Sequence, residues 1–98
     1  MFWAVFREPG PAWDRSRPMR EQDRWQDHAD FMDGLADEGL VVLGGPVAGG
    51  QRFLLLCQAP DEMTVRDMLA EDPWTAMGLL QVASIDHWEL LLGRLSPV

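Results

Sequence analysis

Two residues of this sequence are suited to acid–base chemistry, a histidine at position 28 and an aspartate at position 72. His28 falls in the apolar sector of a predicted helix, where a buried imidazole needs a hydrogen-bond partner for its nitrogens. An aspartate can hold one nitrogen of an imidazole and raise the basicity of the other. The sequence therefore offers His28 as a general base or acid and Asp72 as a carboxylate able to hold an imidazole.

Both residues also have a purely structural interpretation. The simpler explanation of His28 is a core histidine that bonds to a backbone carbonyl. Asp72 precedes Pro73, and an aspartate N-cap followed by proline is a common helix start. A cap and a catalytic partner are compatible, because a carboxylate has two oxygens. The sequence leaves these interpretations open.

Positive charge is concentrated near the start of the chain. From position 7 to position 24 five arginines accompany four carboxylates, whereas the whole chain carries a net charge of −8. An anion would be best accepted near this segment, although a solvated segment with local ion pairs is the simpler explanation. The residues considered for substrate binding are Arg7, Arg20, Arg24, Trp13 and Gly45.

Trp13 and Gly45 lie in predicted connections between elements. The segment 8–18 is rich in proline and is long for so small a chain, so Trp13 is interpreted as a lid over a pocket or as an anchor. Gly45 belongs to a glycine-rich turn that no Gly-Lys-Ser/Thr sequence follows, so it is no phosphate loop. A turn with unusual backbone angles explains this glycine most simply.

Composition excludes several classes of function. The chain has 98 residues, of which 47% are hydrophobic, and we expect a single domain over residues 1–98. It has no lysine, which excludes Schiff-base chemistry, and its acidity disfavours nucleic acid as a partner. One cysteine and two histidines make a zinc site improbable, so we expect no metal and no cofactor. Without a long apolar run or a signal sequence, we expect a cytoplasmic protein with no membrane association.

The elements that must position these residues follow from hydrophobic periodicity. The pattern predicts strands over 2–7, 40–44, 52–58 and 80–91, and helices over 19–38 and 61–70. The order is βαββαβ, the α+β ferredoxin-like arrangement with an antiparallel sheet. The first and third strands are apolar on both faces, and two helices cover only one. We therefore predict a homodimer whose sheets pack face to face.

Three short motifs in this order give the chain a family resemblance. They are His-Ala-Asp-Phe-Met-x-x-Leu (28–35), Val-Val-Leu-Gly-Gly-Pro (41–46) and Asp-Pro-Trp (72–74). Together they resemble the YCII-related domain family of the dimeric α+β-barrel superfamily. The resemblance implies a pocket at the boundary of sheet and helices, with His28 and Asp72 as its active-site pair. Related proteins are cofactor-free lactone isomerases or dehydrochlorinases of chlorinated aromatic ring compounds.

Two functions follow as expectations. The first is a small cofactor-independent isomerase or lyase, similar to the dehydrochlorinases, that moves a proton on a small cyclic or aromatic acid. The second is a non-catalytic domain on the same dimeric scaffold that binds a small ligand or serves as an accessory. The sequence does not decide whether the protein is an enzyme.

Overall fold

A computed structural model describes residues 1–93 and gives them an α+β fold. The strands are β1 (Phe2–Pro9), β2 (Val41–Val47), β3 (Arg52–Gln58) and β4 (Leu80–His87), and the helices are α1 (Trp25–Asp37), α2 (Glu62–Ala70) and α3 (Pro73–Ala76). This order confirms the predicted βαββαβ arrangement. The one-turn helix α3 lies between α2 and β4, where the Asp72-Pro73 pair indicated a helix start.

The strands form one antiparallel sheet in the order β2-β3-β1-β4. The central strands β1 and β3 pair from Phe2 opposite Gln58 to Arg7 opposite Phe53. This order places β3 between β1 and β2, which are joined through α1, and it confirms the ferredoxin-like topology. The pairing of β1 with β4 shifts its register between Phe6 and Arg7. The shift lies next to the candidate site.

The core lies between one face of the sheet and the helices. Its buried apolar side chains come from β1, β3, α1, α2 and β4; they include Trp3, Leu55, Leu35, Leu69 and Ile85. A second cluster under α3 contains Phe53, Trp74, Leu79 and Leu80. The other face of the sheet carries the half-buried side chains of Phe2, Ala4, Phe6 and Leu54, which no helix within residues 1–93 covers.

The first helix begins later than predicted. The expected helix over 19–38 is instead a 3-10 turn (Met19–Glu21) followed by α1, which starts at Trp25. Arg24 separates the two because its backbone is left-handed, with φ of 57°. A helical hydrophobic pattern was correct for the α1 residues, but it could not reveal a left-handed residue that carries an ordinary side chain.

Two strand boundaries also differ from the prediction. β2 continues to Val47 and includes Pro46, which an edge strand tolerates because one of its sides has no hydrogen-bonded neighbour. β4 ends at His87 rather than near Leu91. The N–H of Trp88 still donates to the carbonyl of Phe2 at 2.9 Å, and no strand pairing continues beyond it within residues 1–93.

The loop between β1 and α1 is held to the body of the fold. Gly10 N–H donates to the carbonyl of Leu79, and a side chain at Gly10 would collide with the carbonyl of Gly78. The buried Gln22 closes the loop through its amide, which bonds to both the N–H and the carbonyl of Asp14. These bonds give Trp13 a fixed position.

Candidate active site

His28 and Asp72 are hydrogen-bonded in the folded chain. His28 lies on the first turn of α1, and Asp72 is the N-cap of α3. His28 Nδ1 is 2.8 Å from Asp72 Oδ2 and 3.0 Å from Oδ1. Both side chains are buried, and the aspartate is completely so. The structure thus brings together the two residues that the sequence put forward as a pair.

Asp72 also performs the capping role that its sequence context indicated. Its Oδ1 accepts the backbone N–H of Trp74 at 2.9 Å, and its Oδ2 accepts Nη2 of Arg7 at 2.8 Å. Burial alone would raise the pKa of Asp72. The hydrogen bonds from His28 and from the Trp74 N–H, together with the charge and hydrogen bond of Arg7, outweigh that effect and hold the pKa below its ordinary value. Asp72 is therefore a carboxylate at neutral pH.

An ionised Asp72 fixes the tautomer of His28. A carboxylate only accepts hydrogen bonds, so Nδ1 carries the proton and Nε2 of the neutral ring is the basic nitrogen. Nε2 has no hydrogen-bond partner within residues 1–93. Within residues 1–93, the one fully buried side-chain nitrogen or oxygen that lacks a partner is Arg7 Nε. Since Nε2 of His28 lacks a partner as well, it cannot be fully buried and keeps contact with solvent. The free nitrogen is thus accessible.

The face of the imidazole is supported by Trp74. The two rings are stacked, with centroids 3.9 Å apart and planes within 5°. The indole N–H of Trp74 donates to the carbonyl of Asp23 at 2.7 Å, which ties the stack to the segment before α1. Trp74 is fully buried. The hydrogen bond to Asp72 therefore restricts movement of the His28 ring within its own plane. The stack on Trp74 restricts movement out of that plane.

Arg7 is a buried cation rather than a free anion site. Its exposed fraction is 2%, and its Nη2 bonds to Asp72 and, at 3.3 Å, to Thr75 Oγ1. Its Nη1 has a weak acceptor, Met32 Sδ, at 3.8 Å. The alternation of β1 contained a signal for this, because Arg7 follows Trp3 and Val5 on the inward face, where a charge needs a partner.

His28 lines a pocket between α1 and the sheet. It has a volume of about 290 Å³, and its lining includes His28, Arg7, Trp25, Met32, Gly45 and Phe53. We call it the inner cavity. Gly44 and Gly45 of β2 form one wall, and a side chain on Gly44 would lie 2.6 Å from Leu55 Cδ2. The predicted binding residue Gly45 thus faces the same cavity as His28.

Apart from Arg7 and Gly45, the predicted binding residues lie outside the inner cavity. Trp13 and Arg20 line a neighbouring groove of about 800 Å³, which we call the outer cavity. Arg24 lines neither cavity; it precedes α1 and pairs with Asp27 at 2.7 Å on the surface. Trp74 stacks on the His28 ring, and the sequence analysis did not predict this role.

No group of three or more metal-ligating side chains occurs within residues 1–93. In the same part of the chain no helix has the length and apolar character that a membrane span requires.

A model of the YCII-related domain family matches residues 1–89. No curated protein matches the chain. The fold is similar to that of a solved structure, 5-chloro-2-hydroxyhydroquinone dehydrochlorinase (TftG) from Burkholderia phenoliruptrix AC1100 in complex with 2,5-dihydroxybenzoquinone, with a TM-score of 0.63. The two chains are 21% identical, and the match covers 91% of this chain and 94% of that one.

Proposed function

Because the chain belongs to the YCII-related domain family, we propose that it is a small enzyme that transfers a proton without a cofactor. It acts as an isomerase or a lyase on a small cyclic or aromatic acid. His28 is the general base and acid, and Asp72 holds its ring. One observation carries the proposal: His28 lines the inner cavity with its Nδ1 bound to a buried carboxylate and its Nε2 without a hydrogen-bond partner within residues 1–93.

The charges around Asp72 support this assignment. When Nε2 accepts a proton, the imidazolium that forms is stabilised by the carboxylate at Nδ1. Arg7 binds the same carboxylate from another side and favours its ionised form. The accepted proton therefore stays on the imidazole, from which it can be returned to the substrate.

The reactions in question balance without a further reagent. In an isomerisation, Nε2 removes a proton from carbon and returns it to another atom of the same molecule. In an elimination, Nε2 removes the proton, the C–H electron pair becomes a double bond, and chloride departs. Neither reaction consumes an oxidant or a reductant.

The inner cavity suits a small substrate. Its volume of about 290 Å³ lies at the low end of the range for ligand pockets and accommodates a single ring. The similar structure is named as a dehydrochlorinase of 5-chloro-2-hydroxyhydroquinone, a substrate of this size. That name supports the lyase form of the proposal, whereas the likeness itself concerns the fold.

Proton transfer can be tested before the substrate is known. We would incubate the protein in D₂O with lactones and with chlorinated hydroxybenzenes, and follow exchange of their acidic C–H hydrogens and chloride release. Wild type should accelerate one of these, His28→Gln should abolish the acceleration, and Asp72→Asn should reduce it by about 10²-fold or more. An acceleration that persists in His28→Gln would overturn the assignment.

The alternative function is a non-catalytic binding domain. Measurements of stability do not distinguish it from an enzyme. A loss of stability in His28→Ala would be expected of a histidine with a structural role. In the structure this ring bonds to Asp72 and stacks on Trp74, so its removal costs stability under either function. Turnover, or binding without turnover, must therefore decide between the two.

We also propose that two copies pack through the open face of the sheet. Leu43, Leu54, Leu56 and Trp88 line a depression of about 320 Å³ on that face. Arg52 lies over the ring of Phe6 at 5.0 Å on the same face. Asp86 lies on this face as well, opposite Ala4 in the register, so a two-fold arrangement would bring opposite charges together around an apolar centre. A second copy of this chain is therefore the proposed occupant.

A further inference from the structure

The inner and outer cavities share a wall. Met19, Pro46 and Phe53 line both of them, so the thickness of these side chains is what separates the two. Phe53 is buried and Pro46 is fixed in β2, whereas Met19 has a flexible unbranched side chain that can change its rotamer. A ligand can therefore extend from one cavity into the other if Met19 moves aside.

The inner cavity is a poor place for the acid group of a substrate. Arg7, a cation that lines it, is neutralised by Asp72 at 2.8 Å. Asp33 contributes an exposed carboxylate at its edge and has no salt-bridge partner within residues 1–93. If His28 acts as the base, its ring is neutral when the substrate binds. A carboxylate would thus find repulsion here and no available counter-charge.

The outer cavity supplies the missing cation. Of the two arginines in its lining, Arg17 is paired with Asp14 and Asp23, whereas Arg20 has no salt bridge within residues 1–93. The adjacent Glu21 also lines this cavity, so charges of both signs are present there. Binding of a carboxylate therefore depends on the direction in which the Arg20 guanidinium points.

Trp25 sets that direction and links Arg20 to the catalytic histidine. The guanidinium carbon of Arg20 is 5.8 Å from the centroid of the Trp25 ring. The imidazole of His28 is 5.7 Å from Trp25, centroid to centroid. Arg20 and His28 therefore both lie next to the indole of Trp25. The distance between them can be spanned by one small elongated ligand.

We propose that the substrate is a two-part acid, whose ring reacts at His28 in the inner cavity while its carboxylate binds Arg20 in the outer cavity. The class is a ring that carries its acid group on a short chain, rather than an acid attached directly to the ring. Arg20, and neither Arg7 nor Arg24, is the residue that binds the carboxylate. This inference rests on the proposed function, because it takes His28 as the reacting end.

Three probe molecules separate the parts of the proposal: phenylbutyrate, its neutral amide, and benzoate. Binding would be measured by isothermal titration calorimetry, and contacts by NMR of the His28 imidazole and the arginine Nε–H groups. We expect phenylbutyrate to bind more tightly than the other two and to shift the signals of both His28 and Arg20. Shifts at only one of these residues, or no saturable binding at millimolar concentration, would overturn the proposal.

Two variants test the role of the arginine. Arg20→Gln should weaken phenylbutyrate by roughly fivefold, as for a partly exposed ion pair, and should leave the amide unchanged. The matched control is Arg15→Gln, since Arg15 is also exposed but lines neither cavity; it should bind phenylbutyrate like wild type. Equal losses in both variants, or none in Arg20→Gln, would contradict the assignment.

The two proposals can fail separately. If His28→Gln abolishes proton exchange while Arg20→Gln binds phenylbutyrate normally, the enzyme assignment stands and the two-part substrate does not. If Arg20→Gln loses phenylbutyrate but no tested ring exchanges a proton in wild type, the ligand site stands without the chemistry. Thermal unfolding of each variant verifies that it is folded under the assay conditions.

Discussion

The imidazole of His28 lies flat on the indole of Trp74, with ring centroids 3.9 Å apart and planes 5° apart. The backbone N–H of the same tryptophan binds Asp72, the carboxylate that holds His28. One residue therefore orients both members of the pair, one through its side chain and the other through its main chain. The geometry of the proposed base thus depends on the short helix α3 as much as on α1.

Replacement of Trp74 by phenylalanine should destabilise the fold and loosen His28. Trp74→Phe removes buried area and the hydrogen bond from the indole N–H to Asp23, and it retains the backbone bond to Asp72. We expect a loss of about 1–3 kcal/mol in the free energy of unfolding, measured by urea denaturation. Met63→Leu is the control, because Met63 is an exposed apolar residue on α2, and it should cost little. A Trp74→Phe protein as stable as wild type would show that the stack contributes nothing.

The buried ion pair of Arg7 and Asp72 should show strong energetic coupling. Arg7→Met leaves Asp72 without its buried cation, and Asp72→Asn leaves Arg7 without a counter-charge, so each should cost about 3 kcal/mol or more. The double variant should cost less than the sum of the two by about 1–3 kcal/mol. Urea unfolding of the four proteins measures this difference.

The matched surface pair for that cycle is Arg24 and Asp27, which are 2.7 Å apart and largely exposed. The same double-mutant cycle there should give a coupling energy of about 0.2–1 kcal/mol. Equal couplings at the two pairs would mean that burial adds nothing to the interaction of Arg7 with Asp72.

Hydrophobic pattern was sufficient to predict the order of the elements, because α1 and α2 carry apolar residues at helical spacing and the strands are short apolar runs bounded by turn residues. It failed at Arg24, where the chain adopts a left-handed conformation that no residue type announces. It also failed at Pro46, because the tolerance of a proline depends on which strand lies at the sheet edge, and that is a property of the topology.

The site was predictable in its residue types but not in its connections. The scarcity of histidines singled out His28, and the resemblance to the YCII-related domain family implied Asp72 as its partner, before their distance was known. Neither observation could tell whether Arg7 binds substrate or Asp72. The approach of α3, which brings Asp72 to Arg7, decides that, and it arises from packing of segments far apart in the chain.

Acid should remove the stability that Asp72 contributes. The pKa of Asp72 in the folded chain is lowered from its ordinary value of 3.8, chiefly because the bonds from His28, Trp74 and Arg7 outweigh the opposing effect of burial. A carboxyl with a depressed pKa binds its proton more readily in the unfolded chain. Its contribution is therefore fully present above about pH 3.8 and is lost as the pH falls through the folded-state pKa. The free energy of unfolding, measured from pH 7 downward by urea titration, should decline over that window.

Asp72→Asn should flatten the acid limb, since its side chain cannot titrate. The control is Asp61→Asn, which keeps an N-cap for α2 and removes a carboxyl whose pKa is also lowered, by hydrogen bonds from Thr64. Asp61 is exposed, so this variant should retain most of the acid limb of wild type. Curves of identical slope for Asp72→Asn and wild type would rule out Asp72 as the group responsible.

Cys57 should be unreactive in the folded protein. It is fully buried in β3, and burial raises the pKa of its thiol to about 11. At pH 8 the reactive thiolate is therefore scarce and shielded from reagent. Iodoacetamide, followed by mass spectrometry, should modify the chain in urea and spare it in buffer. Rapid modification in buffer would mean that β3 opens far more often than its central place in the sheet implies.

A charge on the open face of the sheet should separate the proposed dimer. Leu54 lies on the face that no helix covers, opposite Phe6 in the register, and an arginine there would place a charge at the centre of the interface. Sedimentation velocity at micromolar concentration should give a dimer for wild type and a monomer for Leu54→Arg. Met63→Arg is the control, because Met63 is an exposed apolar residue on α2, away from the sheet, and this variant should remain dimeric. A monomeric wild type would leave the apolar side chains of this face in contact with water and would exclude a second copy of the chain as their cover.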